Sequence, residues 1–312
     1  MHDNEGLKPG TRDYEERLRE EIDHYGKVFE SEEGKARLMQ PVPASWNELE
    51  TRAAEIVRAT TGDTPMGHML ARMQSRPGFR VLSVGSGPGG VELWLADQCR
   101  GAEILCLDVN PGVLELGRRR AQEKRFAVRF EEADLNGVEL PRDEFDLVFC
   151  HASLHHVLEL ERLVDQIRRT LKRGGELITV DVITRNGYRM WPETREVAAP
   201  FFRTLQERFR LNHTAYEKPR VDREIWDSDA GRMECIRSED ILRVLRQTLR
   251  ETAFVPYFSL SRRFLDTMYG PNYDLAEPLD RALLESIWQL DRNCLESGKL
   301  PPETFFGIYR RQ

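Results

Sequence analysis

The sequence predicts an α/β fold: a mostly parallel sheet with helices on both faces, an N-terminal helical cap and an inserted helical lid. Three observations carry this reading. Short apolar runs alternate with helical stretches between Gly78 and Val182, the pattern of right-handed βαβ units. A glycine-rich turn, Gly85-Ser86-Gly87-Pro88-Gly89-Gly90, joins the first run to the first helix. The alternation stops at Arg185 and resumes near Ser238.

Residues 1–76 read as the cap. The first ten are polar and expected to be disordered. Helices are expected over 12–33, 45–60 and 64–74, with Ser45 and Asn47 as candidate N-caps and Thr64-Pro65 as a further start. Pro41, Pro43 and Pro77 punctuate this region. The core is expected over 77–184 and 236–312. Its strands are placed at 79–84, 103–107, 127–131, 145–150 and 176–182, with helices at 91–98, 111–124 and 160–172 between them. The strands are nearly continuous apolar runs, as when helices cover both faces of a sheet. Residues 185–235 form the lid, rich in Tyr188, Trp191, Phe201, Phe202, Phe209, Tyr216 and Trp226. The core then closes with a helix at 238–249 capped by Ser238, a strand at 251–260, a helix at 275–297 stopped by Gly298, and a strand at 304–309.

Composition narrows the function. The 312 residues carry a net charge of −7, with 40% hydrophobic and 32% charged residues. An acidic chain is a poor partner for nucleic acid, which binds positive surfaces. No stretch reaches the ~18 apolar residues of a membrane span, so neither a nucleic acid nor a membrane is expected as partner. The five cysteines form no C-x-x-C pair and are expected to be reduced, in a cytoplasmic protein. Asn212-His213-Thr214 matches a glycosylation sequon, which has no meaning in that compartment.

The glycine turn fits two patterns. As G-x-G-x-G it suits adenosylmethionine; as G-x-G-x-x-G, through Gly85, Gly87 and Gly90, it suits a dinucleotide. In both, glycine permits close backbone approach, and the following helix offers unpaired N–H groups. Asp108 follows Gly87 by 21 residues and can accept ribose hydroxyls, a feature that both classes share. A glycine turn with no ligand is the bland alternative.

The later segments break the tie. Val81–Gly90, Leu107-Asp108-Val109-Asn110, Ala133-Asp134, Phe145-Asp146-Leu147-Val148, Ala152-Ser153-Leu154-His155-His156 and Leu171–Gly175 occur in one order over about a hundred residues. In this the sequence resembles the class I S-adenosylmethionine-dependent methyltransferases. The resemblance implies a Rossmann-like seven-stranded sheet whose last strand is antiparallel. It implies that Gly85, Ser86, Gly87 and Gly89 line the methionine part of S-adenosyl-L-methionine. Asp108 would bind the ribose with Val109 beside the adenine. Asp134 would accept the adenine amino group, Leu135 would supply backbone, and His151 would meet the methionyl end. For Asp134 the bland reading is a turn cap.

His151, His155 and His156 fall within six residues, with Glu159 behind them. They lie where open α/β sheets bind ligands. His155 or His156 could serve as a general base; equally, the cluster could shape the pocket floor. No metal is expected, because the spacing of His151, His155 and Glu159 would converge only on a continuous helix. Methyl transfer needs chiefly in-line alignment and exclusion of water. Tyr25 and the lid aromatics Tyr188, Trp191, Phe201 and Phe202 are candidates to cover the cofactor or line an acceptor pocket, or simply to pack the core. Arg118-Arg119-Arg120 reads as a solvated helix face. Asp227-x-Asp229 looks like a glycosyltransferase metal motif without its context.

A looser resemblance covers Asp227–Leu242 and Glu296–Pro302. These segments look like bacterial methyltransferases found with glycan-assembly enzymes, implying a sugar or other hydroxylated small acceptor. The expected function is therefore methyl transfer to a small molecule, directed to oxygen. A nicotinamide-dependent oxidoreductase and a non-catalytic adenosylmethionine-binding module are the alternatives.

Overall fold

Strand order decides what the carboxyl edge of the sheet can hold. The computed structural model describes residues 7–30, 42–213, 219–227 and 233–311. Seven strands form one sheet: β1 (Arg80–Val84), β2 (Glu103–Asp108), β3 (Val128–Glu132), β4 (Phe145–His151), β5 (Leu171–Val182), β6 (Arg250–Tyr257) and β7 (Thr304–Arg310). Their order is β3-β2-β1-β4-β5-β7-β6. The first five are parallel, and β7 runs antiparallel between β5 and β6. The order reverses between β1 and β4, which opens a crevice at their carboxyl ends.

The cap helices are α1 (Arg12–Glu30), α2 (Ala44–Thr61) and α3 (Pro65–Met73). The core adds α4 (Gly90–Gln98), α5 (Pro111–Lys124) and α6 (Leu160–Thr170). After β5 come α7 (Pro192–Thr204) in the lid, then α8 (Ile241–Thr248), α9 (Ser261–Leu265) and α10 (Pro278–Glu296). Strand alternation sends Val81, Phe149 and Ile178 into one buried cluster and Leu82, Val148 and Leu177 into another. Both faces of the sheet are therefore core, and each fully buried side chain of this size contributes roughly 1.5–3 kcal/mol.

The structure corrects several local expectations. Strand β5 begins at Leu171, not 176, because Phe145 pairs with Leu171 before a register shift. The glycines at 174–175 are thus taken into an irregular strand start. Neither Ser45 nor Asn47 caps α2; Pro43 precedes the helix, and the buried Ser45 Oγ donates to the Leu265 carbonyl at 3.0 Å. A tertiary acceptor has outcompeted the local cap. Ser238 opens a 3-10 turn instead of capping α8, and it is buried. Thr64 does cap α3, accepting from the Gly67 N–H at 3.0 Å. Within the first ten residues, Leu7 is buried against Leu158, Met233 and Ile236; residues 1–6 lie outside the described part. So do 31–33 of the first expected helix, which is described as far as Glu30.

Buried polar bonds anchor the lid side. The Asp291 carboxylate accepts from the N–H groups of Ser259, Leu260 and Ser261 at 2.9–3.2 Å, fixing the start of α9. Arg263 and Glu303, almost wholly buried, pair at 2.7 Å. Replacing Asp291 by Ala should cost about 3 kcal/mol, because buried donors lose their acceptor. Urea unfolding of the variant checks this, and a midpoint equal to wild type would refute the anchoring role.

Candidate active site

The glycine turn forms a cradle with one closed and one open side. Gly85, Gly87 and Gly89 hold φ of +69°, +54° and +71°. A Cβ at Gly85 would lie 2.5 Å from Ser153 Cβ, and one at Gly89 would lie 2.6 Å from the Phe130 ring. At Gly87 it would meet nothing within 4 Å. The turn backs tightly onto protein, leaving its outer backbone accessible. Ser86 lies within it, its Oγ donating to the Gly87 carbonyl at 3.2 Å. The N-terminus of α4 follows directly and favours negative charge.

Asp108 closes β2 beside this turn. Its Oδ2 accepts from the Gly87 N–H at 2.8 Å and its Oδ1 from the Asn110 N–H at 2.9 Å. Burial raises its pKa, opposed by these same N–H groups. Each oxygen keeps a lone pair for another donor. Val109 beside it is half-buried. One strand further on, Asp134 Oδ2 accepts from the Tyr14 hydroxyl at 2.7 Å, and Oδ1 accepts from the Asn136 N–H at 2.9 Å. Asn136 Nδ2 also donates to Tyr14 Oη at 2.8 Å. Leu135 is half-buried.

Helix α1 therefore lies across the carboxyl edge. Besides Tyr14, the Ile22 carbonyl accepts from Asn110 Nδ2 at 3.2 Å, and Glu21 Oε1 lies 3.1 Å from His156 Nδ1. Tyr25 was a candidate cover; its side chain lies outside the described part. Tyr14 meets the acidic site instead.

The histidines separate into two environments. His151 ends β4 and stacks on Phe149, with ring centroids 5.8 Å apart. Protein surrounds it, yet its ring stays accessible. Burial and the Arg262 charge hold its pKa below the usual value against the pull of Asp181, leaving a neutral imidazole near neutrality. His155 and His156 instead sit in a one-turn 3-10 helix, Leu154–His156. His155 Nδ1 meets Asp181 Oδ1 at 2.6 Å. Asp181 is buried and also accepts from the N–H groups of Ser153, Leu154 and Val182. Burial pushes its pKa up, but the His155 charge, the His155 bond and these N–H groups outweigh it and hold the pKa low. Burial works against protonation of His156, but Glu21, Glu234 and Asp181 prevail and raise its pKa to about 9.

Sequence reasoning missed Tyr14, Glu21, Glu50, Asn136, Asp181, Glu234 and Arg262. Asp181 had a visible signal, a lone charge in the apolar run 177–182. The others become neighbours only through folding. Glu50, His151 and Tyr188 each feel the charge of Arg262, which works to lower the pKa of all three. Phe202 is core, against Phe264 and Tyr269. Phe201 packs edge-on against Phe264, and Trp191 Nε1 donates to the Ile183 carbonyl at 3.1 Å. Asp227 accepts from the Met190 N–H at 2.7 Å and fastens the lid; Asp229 is outside the described residues. A groove of about 450 Å³ on the lid, lined by Arg185, Arg195 and Asp227 among others, shares no residue with the glycine turn or the histidines.

Residues 82–179 match the family model described as a methyltransferase domain. This segment of the chain is a methyltransferase domain. It contains the glycine turn, Asp108, Asp134 and all three histidines, and it bears out the resemblance to the class that uses S-adenosylmethionine. An uncharacterized methyltransferase of Bacillus subtilis is 29% identical over 37% of this chain and 46% of its own length. A demethylmenaquinone methyltransferase of Clavibacter sepedonicus is 32% identical over 45% of this chain and 56% of its own. The chain spans about half the length of the curated relatives it matches. Among solved structures, a [4+2]-cyclase, SpnF, overlays with a TM-score of 0.48 at 18% identity, covering 79% of this chain and 80% of that one. No described helix is long and apolar enough to cross a membrane.

Within the methyltransferase domain the two sides of the cradle should respond differently to a methyl group. Gly87→Ala meets open space and bears only the cost of its positive φ, about 1–2 kcal/mol. Gly85→Ala adds the clash with Ser153 and should lower the melting temperature markedly further. Equal losses in thermal denaturation would contradict the closed-side geometry.

Proposed function

We propose that the chain transfers the methyl group of S-adenosyl-L-methionine to an oxygen of a small, hydroxylated acceptor such as a sugar. The observation that carries this reading is the paired acidic site around the cradle. Asp108 ends β2 and Asp134 lies two residues past the end of the adjacent β3, and each keeps acceptor capacity beside a turn with an open face. The residues fit the cofactor. Gly85, Ser86, Gly87 and Gly89 would hold its methionyl part, Asp108 the ribose, and Val109, Asp134 and Leu135 the adenine. The His151 backbone would face the methionyl end. When bound, the cofactor supplies an activated methyl on a sulfonium.

What this chain supplies is alignment, a dry enclosure and a place for the proton. Helix α1 covers the adenine side through Tyr14. The polar group that Glu50, Tyr188 and His151 form around the Arg262 charge suits an acceptor rich in hydroxyls, since such groups need partners when they leave water. The relatives named as quinone methyltransferases do not set this acceptor; these polar residues favour a more polar one. His155 and His156 were candidate bases, but each has Nδ1 against a carboxylate and Nε2 toward Glu234. We assign proton acceptance to His151, which is neutral and accessible, and give His155 and His156 a shaping role beside it.

Two measurements test the reading. The chain should bind adenosylhomocysteine and ignore NAD(P), and Asp108→Ala should weaken that binding at least ~100-fold, the worth of about two charge-assisted bonds. Unchanged affinity would remove the ribose assignment. Labelled methyl should pass into a hydroxylated metabolite, with turnover falling as pH drops below the usual imidazole range near 6.5. His151→Ala should cost kcat roughly 100-fold or more and abolish this acid limb. Retention of the limb in that variant would rule out His151 as the proton acceptor.

A further inference from the structure

His155 and His156 are arranged as two ligands of one ion. Their rings lie 4.1 Å apart at a tilt of 39°. Each Nδ1 faces its own carboxylate, His155 toward Asp181 at 2.6 Å and His156 toward Glu21 at 3.1 Å. This outer support directs both Nε2 atoms toward Glu234, whose oxygens lie 3.5 and 3.7 Å away. Ligand atoms of the three residues lie within 4.8 Å of one another. Metal-bound imidazoles are held in just this way, with the far nitrogen on a carboxylate.

The spacing also fits. Nitrogen and oxygen ligands sit about 2.0–2.2 Å from zinc, so neighbouring donor atoms stand roughly 3–3.5 Å apart. The Nε2–carboxylate separations are at or just beyond this range, and long for direct hydrogen bonds. Three carboxylates, Asp181, Glu21 and Glu234, converge on two rings. A divalent ion would offset that excess of negative charge. His151 and Glu159 take no part in this cluster; the third ligand comes from Glu234, 78 residues beyond His156.

We propose that His155 Nε2, His156 Nε2 and Glu234 form a binding site for one divalent transition-metal ion of the zinc class. Two imidazoles and one carboxylate favour zinc and its first-row neighbours over magnesium or calcium. Three protein ligands leave a coordination position for water or an acceptor oxygen. The site goes beyond the methyl-transfer reading, and its test reads binding instead of turnover.

The full chain, stripped with chelator, is titrated with zinc by calorimetry and with cobalt by visible absorption. One ion per chain at micromolar or tighter affinity, with cobalt bands of a four- or five-coordinate nitrogen–oxygen site, is expected. His156→Ala and Glu234→Gln should each weaken zinc binding at least 10-fold. Glu21→Gln removes no ligand and should still weaken it about 10-fold or more through lost support of His156. Circular dichroism verifies folding, and adenosylhomocysteine affinity is measured on the same samples. No stoichiometric binding, or binding that all three folded variants keep, overturns the proposal. Metal bound without adenosylhomocysteine would leave this site standing and sink the methyl-transfer reading; the reverse would do the opposite.

Discussion

The buried carboxylate of Asp181 is the constraint on which the carboxyl edge depends. A charge removed from water is tolerated only when donors surround it. Asp181 takes the N–H groups of Ser153, Leu154 and Val182 and the ring of His155. The chain leaving β4 is thereby pulled back across β5, through a left-handed residue at Ala152 with φ of +50°. That path sets Ser153 against Gly85 so closely that no side chain fits there. One carboxylate thus positions both the histidine pair and the closed side of the glycine cradle.

A second network ties the cap to the same edge. Asn136 donates to Tyr14, while its Oδ1 accepts from the N–H groups of Leu158 and Glu159 at 2.8 and 2.9 Å. The start of α6, the end of β3 and helix α1 are joined through one amide. Tyr14 is buried, and burial followed by its bond to Asp134 raises its pKa, so the hydroxyl stays a donor. The cap is consequently a wall of the site, with Glu21 meeting His156 further along the same helix.

The legible parts of the sequence were those whose physics is local. Apolar runs near the length of a strand gave β1 to β5. The glycine turn was readable because its left-handed positions exclude most other residues. Asp108 was readable from its spacing after that turn. Caps were less secure: Ser45 and Ser238 had the right chemistry, but Ser45 found the Leu265 carbonyl 220 residues away and Ser238 was buried in a 3-10 turn. Tyr14 and Glu234 were invisible for the same reason. Their partners lie across the fold, and no periodicity records such pairings.

Distant segments meet around the Arg262 charge on α9: α2 brings Glu50, and the lid brings Tyr188 and Glu234. Each is fastened by a buried or half-buried polar bond. Ser45 joins α2 to the end of α9. Arg263 Nη1 donates to the Tyr188 carbonyl at 3.0 Å. The Gly187 N–H donates to the Cys235 carbonyl at 2.9 Å, beside Glu234. Asp291 fixes the turn into α9. Ordering of these side chains is therefore met during folding and not at each binding event, which lowers the cost of binding any ligand beside them.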